Sequence, residues 1–298
     1  MENQCGLQFK WDLPSRRTGT PAPKDLQALR AMISNSLEDS SATTVQDGLP
    51  LGTVPCVVCE VESPQATFLW FHGGGFRLGS ARQSTAFGER LAATTSARVV
   101  LVDYELAPEH PFPAALYDAV EAFEEARIRW PGTLVVGGDS AGGGLAMALT
   151  VAMERAGSAS PDGLVLLSPW CDLTASAPSY DANAMTDPLF SAASATEAAA
   201  LYLQGWDARD PLASPLFARV SGFPSTLIFA STDEVLLDDA RRLTDLLAGA
   251  GIEISAHFVP GVRHVWPTLE PDHPASVAAL QEIDRFVAHC SRTFMAGE

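Results

Sequence analysis

Positively charged side chains are scarce in this sequence. Its 298 residues include 19 Lys and Arg against 36 Asp and Glu, which gives a formal net charge of −17. Lys10 and Lys24 are the only lysines, and no basic block is present. Nucleic acids bind through clusters of positive charge, so we exclude a nucleic-acid partner. We attribute the spread acidity to solubility rather than to a cationic substrate.

Long apolar runs and a disulfide framework are also missing. No stretch approaches the roughly 18 apolar residues that a membrane span needs, and residues 1–11 lack the apolar core of a signal peptide. The cysteines are odd in number and scattered: Cys5, Cys56, Cys59, Cys171 and Cys290. Cys56 and Cys59 have redox spacing, but in a Val-rich strand residues three apart point to opposite faces. We therefore predict core cysteines, no membrane span and a reducing, cytoplasmic location.

Strand-like and helix-like segments alternate from about residue 52 onward. The strand-like runs are 54–61, 67–71, 98–102, 134–136, 164–167, 226–230 and 254–259. The helix-like runs between them include 81–95, 114–128, 143–155, 237–250 and 275–289. Short, nearly all-apolar strands separated by helices predict an α/β fold with a mainly parallel sheet covered on both faces.

Two regions depart from this alternation. Residues 1–45 show no clean strand pattern, although 24–35 reads as an amphipathic helix. More than fifty residues between Trp170 and Ser225 contain no good strand, and only 191–203 looks helical. Because so long a structureless loop is uncommon in a compact domain, we interpret it as an inserted helical cap over the strand ends. The alternative is a peripheral excursion away from the site.

These patterns give a predicted division of the chain. Residues 1–45 would form the N-terminal part of the cap. Residues 46–298 would form the catalytic domain, with the cap insertion at about 176–210.

One pentapeptide has the context of a catalytic nucleophile. Gly138-Asp139-Ser140-Ala141-Gly142 follows an apolar strand-like run and precedes a helix-like one. Strand, Gly-x-Ser-x-Gly, then helix is typical of the nucleophile elbow of α/β-hydrolases, in which a tight turn exposes the serine. We therefore predict that Ser140 is a nucleophile, which requires a base within hydrogen-bond reach.

The base has one well-placed candidate among six histidines. His264 lies in a loop directly after the last predicted strand, 254–259. In α/β-hydrolases the chain order is serine, acid, histidine, with the base after the last strand. His264 is therefore the predicted general base.

The acid that orients this base should follow the preceding strand, 226–230. Asp233 and Glu234 both lie there, and adjacent side chains point in different directions, so only one can face the histidine. Spacing leaves both open. Asp238 and Asp239, at the start of the next helix, are better explained as charges at a helix N-terminus.

A glycine run after an earlier strand supplies candidate oxyanion donors. In His72-Gly73-Gly74-Gly75 the absence of side chains lets main-chain N–H groups approach a substrate oxygen. The N–H group of Ala141, next to the nucleophile, would add a further donor. A phosphate cradle is the rival reading, but no Gly-Lys-Ser/Thr follows and no dinucleotide fingerprint is present.

Together these segments resemble the bacterial hormone-sensitive-lipase family of carboxylesterases, over roughly residues 65–270. The similar segments are His72-Gly-Gly-Gly-Phe76, Asp103-Tyr-Glu-Leu-Ala-Pro-Glu-His-Pro-Phe-Pro-Ala-Ala115, Gly138-Asp-Ser-Ala-Gly-Gly143, Ser168-Pro-Trp170, Asp210-Pro-Leu-Ala-Ser-Pro-Leu216, the acid segment and His264.

The resemblance implies roles that spacing leaves open. The family's acid-x-Leu-x-Asp frame reads Glu234 to Asp238 here, which makes Glu234 the catalytic acid and Asp233 the runner-up. By the same likeness Gly74, Gly75 and Ala141 are the oxyanion donors, and Asp139 has a structural role.

The resemblance also implies a serine carboxylesterase that hydrolyses short-chain acyl esters through an acyl-enzyme, with no metal or organic cofactor. An amidase or lactonase would use the same triad. Plant hormone receptors resemble the family but have lost the histidine, and His264 argues against that function. A small-molecule ester is the expected partner. Because members of the family often form dimers, the resemblance also implies a possible homodimer.

Overall fold

The strands of the fold form one β-sheet. The computed structural model describes residues 12–35, 45–47 and 50–297. Within them, eight strands pair in the order β1-β2-β4-β3-β5-β6-β7-β8. The strands are β1 Val45–Asp47, β2 Cys56–Cys59, β3 Thr67–Phe71, β4 Arg98–Val102, β5 Leu134–Asp139, β6 Gly163–Leu167, β7 Thr226–Ser231 and β8 Ile254–Val259. Strands β3 to β8 pair in parallel, and β2 is antiparallel to β1 and β4. The prediction of an α/β fold with a mainly parallel sheet is confirmed.

Helices cover both faces of the sheet. The described helices are α1 Lys24–Asn35, α2 Thr85–Thr95, α3 Ala114–Arg129, α4 Ala141–Arg155, α5 Ser179–Ala182, α6 Ala192–Leu203, α7 Leu237–Gly249, α8 Trp266–Leu269 and α9 Pro274–Gly297. Because alternate residues of a strand face opposite ways, Leu69 and Trp70 belong to two different cores. Cys56 and Cys59 divide between the same two cores, as predicted. No helix in the described ranges has the length and apolarity to cross a bilayer.

Three differences from the sequence prediction concern the ends of elements or very short elements. Helix α4 begins at Ala141 rather than at residue 143, because the elbow glycine Gly142 is already helical and packs against strand β3. The four-residue helices α5 and α8 were not predicted, since a single turn has too little periodicity to read. Strand β1 also begins where the sequence shows no strand pattern.

The parallel strands bring four predicted site segments to one edge. The glycine run follows β3, Ser140 follows β5, the acid segment follows β7 and His264 follows β8. The carboxyl ends of parallel strands share one edge of a sheet, which is where ligands bind in open α/β folds. The insertion, residues 168–225 between β6 and β7, carries α5 and α6. The division into cap and catalytic domain stays a prediction, and much of its N-terminal part lies outside the described residues.

Candidate active site

The turn after β5 holds Ser140 in a strained conformation. Its φ of 53° and ψ of −119° lie outside the regions that residues with a side chain normally adopt. A Cβ atom on Gly142 would lie 2.0 Å from the carbonyl oxygen of Phe71, so the turn can form only with glycine there. The amide of Ser140 donates to the carbonyl of Leu167 at 2.9 Å, which fixes the turn to strand β6. Such strain is found at functional sites, where it fixes a side chain in place.

The structure brings Ser140, His264 and Glu234 into one chain of contacts. Nε2 of His264 lies 3.0 Å from Oγ of Ser140, and Nδ1 lies 2.9 Å from Oε2 of Glu234. All three residues are buried: Ser140 and His264 are 7% exposed and Glu234 is 1% exposed. The order and spacing of the three side chains match what the predicted nucleophile, base and orienting acid require.

Asp233 points elsewhere. Its Oδ2 accepts the amide of Gly261 at 2.8 Å, and its Oδ1 accepts the hydroxyl of Thr232 at 3.0 Å. Asp233 therefore ties the acid segment to the loop that carries His264. Of the two acids that spacing left open, the one that touches the imidazole is Glu234.

Nearby carboxylates favour the protonated imidazole. Burial alone would lower the pKa of His264, but the charge and hydrogen bond of Glu234 outweigh it. Asp187 and Asp139 act in the same direction, so the pKa of His264 is raised above its ordinary 6.5. A raised pKa strengthens an imidazole as a proton acceptor, which suits the predicted role of His264 as a general base.

The glycine run forms a tight turn beside Ser140. Gly74 has φ of +116°, and a Cβ atom there would lie 2.2 Å from the carbonyl oxygen of Leu78. The amides of Gly74, Gly75 and Ala141 donate to no other group in the part of the chain that the structure describes. Ala141 is the first residue of α4, where main-chain N–H groups lack partners within the helix. The lack of partners is consistent with the predicted role of these three amides as oxyanion donors.

Asp139 and Tyr104 hold this run, and neither was assigned such a contact from the sequence. Oδ2 of Asp139 accepts the amide of Gly73 at 3.0 Å, and its Oδ1 accepts Nε1 of Trp70 at 3.1 Å. Burial raises the pKa of Asp139 to about 6. The hydroxyl of Tyr104 donates to the carbonyl of His72 at 2.7 Å, and the two rings stack. Their only signals in the sequence were position: Tyr104 lies in the segment 103–115 that carries the family resemblance, and Asp139 is the second residue of the Gly-x-Ser-x-Gly pentapeptide.

A cavity of about 570 Å³ opens in front of Ser140. Its lining includes Leu29 and Ile33 of α1, Leu189 and Phe190 of the insertion, and Leu269 of α8. Both regions that were predicted to form a cap therefore contribute to its walls. The size is in the range of pockets that hold small organic molecules.

The described residues contain neither a cluster of metal ligands nor a reactive thiol. Across the described ranges, no three His, Cys, Asp or Glu side chains group in a way that could hold a metal ion. Burial raises the pKa of the Cys59 and Cys290 thiols to about 12, which makes them poor nucleophiles.

Comparison with known proteins identifies the family. Residues 68–268 match a family described as having the alpha/beta hydrolase fold. An acetyl-hydrolase from Streptomyces hygroscopicus is 36% identical over 223 residues, which cover 74% of this chain and 75% of that protein. An esterase from Acinetobacter venetianus is 34% identical over 227 residues, covering 74% of this chain and 75% of that protein.

Solved structures give the same result. The crystal structure of an esterase from the bacterial hormone-sensitive lipase family superimposes with a TM-score of 0.84 at 35% identity, over 90% of this chain and 92% of that chain. The predicted α/β-hydrolase fold and family likeness are both confirmed. The chain belongs to the bacterial hormone-sensitive-lipase family of α/β-hydrolases.

Proposed function

We propose that the chain is a serine carboxylesterase that hydrolyses short-chain acyl esters. One observation carries the proposal: Ser140, His264 and Glu234 are linked by contacts of 3.0 and 2.9 Å, beside three amides that have no hydrogen-bond partner among the described residues. The names of its relatives, acetyl-hydrolase and esterase, support the same reaction.

The positions of these groups support the following steps. Oγ of Ser140 attacks the ester carbonyl carbon while Nε2 of His264 takes its proton. The carbonyl oxygen becomes an oxyanion that accepts hydrogen bonds from the amides of Gly74, Gly75 and Ala141. His264 then gives its proton to the departing alcohol, which leaves Ser140 acylated. A water molecule, deprotonated by His264, attacks the acyl carbonyl and releases the acid and the free serine.

The cavity favours a neutral substrate with apolar groups. Its walls carry Leu29, Leu189 and Leu269, and Arg77, which also lines it, pairs with Glu197 at 3.0 Å. An amide or lactone could react by the same steps, so amidase and lactonase activity are the alternatives within this class. A panel of p-nitrophenyl esters, lactones and aryl amides distinguishes them by relative kcat/KM.

Two further proposals concern the location of the enzyme in the cell and its oligomeric state. We propose a cytoplasmic enzyme, because the buried thiols of Cys59, Cys171 and Cys290 are suited to a reducing compartment. We also propose a homodimer through β8, the outer strand next to β7, whose side chains are mostly half-buried. Sedimentation equilibrium tests the dimer, and a monomer at micromolar concentration would contradict it.

The central test removes the nucleophile. Ser140→Ala should lose more than about a thousandfold in kcat/KM for p-nitrophenyl butyrate, since attack and proton transfer both require the hydroxyl. Circular dichroism should show an intact fold. A fluorophosphonate probe should label the wild type at Ser140 and leave the variant unlabelled. Turnover by the variant near the wild-type rate would contradict the proposal, and a wild type that neither labels nor hydrolyses would favour a binding function.

A further inference from the structure

Side chains of the insertion bind the main chain of the acid loop, residues 232–235. Every carbonyl of this loop accepts a hydrogen bond from them. The bonds run from Asn183 Nδ2 to Thr232 (3.0 Å) and Glu234 (2.7 Å), from Thr186 Oγ1 to Asp233 (2.8 Å) and from Ser179 Oγ to Val235 (2.6 Å). The insertion therefore determines where the backbone of Glu234 lies, although about fifty residues separate the two segments.

One carboxylate of the insertion joins the acid loop to the wall of the cavity. Oδ2 of Asp187 accepts the amide of Val235, the residue after Glu234, at 3.0 Å. Its Oδ1 accepts the amides of Leu189 at 2.9 Å and Phe190 at 3.0 Å. Asp187 is only 9% exposed, so these charge-assisted bonds form away from bulk water.

The wall that Asp187 holds also touches the base. The ring of Phe190 lies nearly parallel to the imidazole of His264, with centroids 6.0 Å apart and planes at 12°. The ring of Phe190 also contacts the ring of Trp170, with centroids 5.4 Å apart and planes at 76°. Asp187 thus contacts, through its two oxygens, the segment that carries the acid and the segment that packs on the base.

We propose that Asp187 is a positioning residue for the ester hydrolysis proposed above: it holds Glu234 and the Phe190 wall in one fixed arrangement around His264. The inference rests on that proposed function. A carboxylate suits the position because all three partners are N–H donors. Asparagine would offer one acceptor oxygen, and its NH₂ group would face a donor.

A double-mutant cycle tests whether Asp187 acts through Glu234. Asp187→Asn should lower kcat for p-nitrophenyl butyrate by roughly 10- to 100-fold, because small displacements of catalytic groups have effects of that size. In a Glu234→Gln background the same change should cost less than about twofold, since residues that act as a unit are not additive. Equal losses in the two backgrounds would overturn the proposal.

Asp207→Asn is the matched control. Asp207 is an exposed aspartate of the same insertion, and it accepts the amide of Arg209, two residues on, at 2.9 Å. The change therefore weakens the same kind of turn without a bond to the acid loop, and kcat should stay at the wild-type value. If Asp187→Asn does not fold, Asp187→Glu takes its place in the cycle, because it keeps the charge and both acceptor oxygens but displaces them.

A second readout is independent of turnover. The charges of Glu234, Asp187 and Asp139 each raise the pKa of His264. In the Ser140→Ala protein, the NMR titration midpoint of the His264 imidazole should fall when Asp187→Asn is added and stay unchanged with Asp207→Asn. An unchanged midpoint together with unchanged kcat would overturn the proposal. If the wild type hydrolysed no ester, the proposed function would fail, while this titration would still test the position of Asp187.

Discussion

The nucleophile elbow and the acid loop are held in place by different kinds of contact. In the elbow, main chain packs directly on main chain: Gly142 lies against the carbonyl of Phe71, and the amide of Ser140 bonds to the carbonyl of Leu167. In the acid loop, main-chain carbonyls bond to side chains of a distant segment, such as Asn183. A single added atom should therefore disrupt the structure of the elbow. The acid loop should instead lose its position when a side chain of the insertion is removed.

The largest expected effect comes from one methyl group in the elbow. In Gly142→Ala the new Cβ atom would meet the carbonyl oxygen of Phe71 at 2.0 Å, and that atom belongs to a central strand that cannot move freely. We expect a loss of about 3 kcal/mol or more in the free energy of unfolding, or no soluble protein, and loss of esterase activity. Urea denaturation and p-nitrophenyl butyrate turnover measure both.

Gly222→Ala in the insertion is the control. Nothing lies within 4 Å of a Cβ atom at that position. The free energy of unfolding should change by less than about 0.5 kcal/mol. If both glycine variants behaved alike, the contrast between main-chain packing in the elbow and open space in the insertion would be wrong.

The next effect separates the two adjacent acids of the loop. Glu234→Gln removes the charge beside Nδ1 of His264 and should reduce kcat by about 100- to 10,000-fold. Asp233→Asn removes one acceptor for Thr232 or Gly261, away from the imidazole, and should cost less than about tenfold. A larger loss in Asp233→Asn would reverse the assignment.

The pH profile of the same pair gives an independent check. The pKa of His264 is raised by Glu234, and the base must be neutral to act, so wild-type kcat/KM should fall as the pH drops through a value above 6.5. In Glu234→Gln this acid limb should move to lower pH, because the charge that stabilises the imidazolium is gone. In Asp233→Asn it should stay in place.

The two regions also differ in how far the sequence predicts them. The strands, the elbow and the position of His264 follow from apolar runs, glycine spacing and chain order, which are local signals. Local signals did not distinguish Asp233 from Glu234, because the two residues have the same local context. Only the family resemblance favoured Glu234 as the partner of His264. Asn183, Thr186 and Asp187 were not predicted as supports, since their bonds depend on tertiary placement across about fifty residues.

The smallest expected effect concerns a second buried carboxylate that binds the insertion. Asp238 and Asp239 lie in the first turn of α7, as predicted. Oδ2 of Asp239 also accepts the amides of Cys171 at 2.8 Å and Asp172 at 2.9 Å, at the start of the insertion. Asp239 is fully buried, and burial raises its pKa from 3.8 to about 7.

The raised pKa sets the sign of a stability difference. At a pH between 3.8 and about 7, Asp239 is mostly protonated in the folded chain and mostly ionised in the unfolded chain. The folded chain therefore binds more protons, and the contribution of Asp239 to the free energy of unfolding falls as the pH rises toward 7. Asp239→Asn keeps an oxygen for both amides and carries no charge. Its stability relative to the wild type should therefore increase by about 1 to 3 kcal/mol between pH 5 and pH 8.5, measured by urea denaturation. Asp245→Asn, an exposed position on the same helix, should show no such trend. A difference that stays constant across this range would mean that Asp239 holds the insertion through its shape alone, and that its ionisation has no part in the contrast between the two regions.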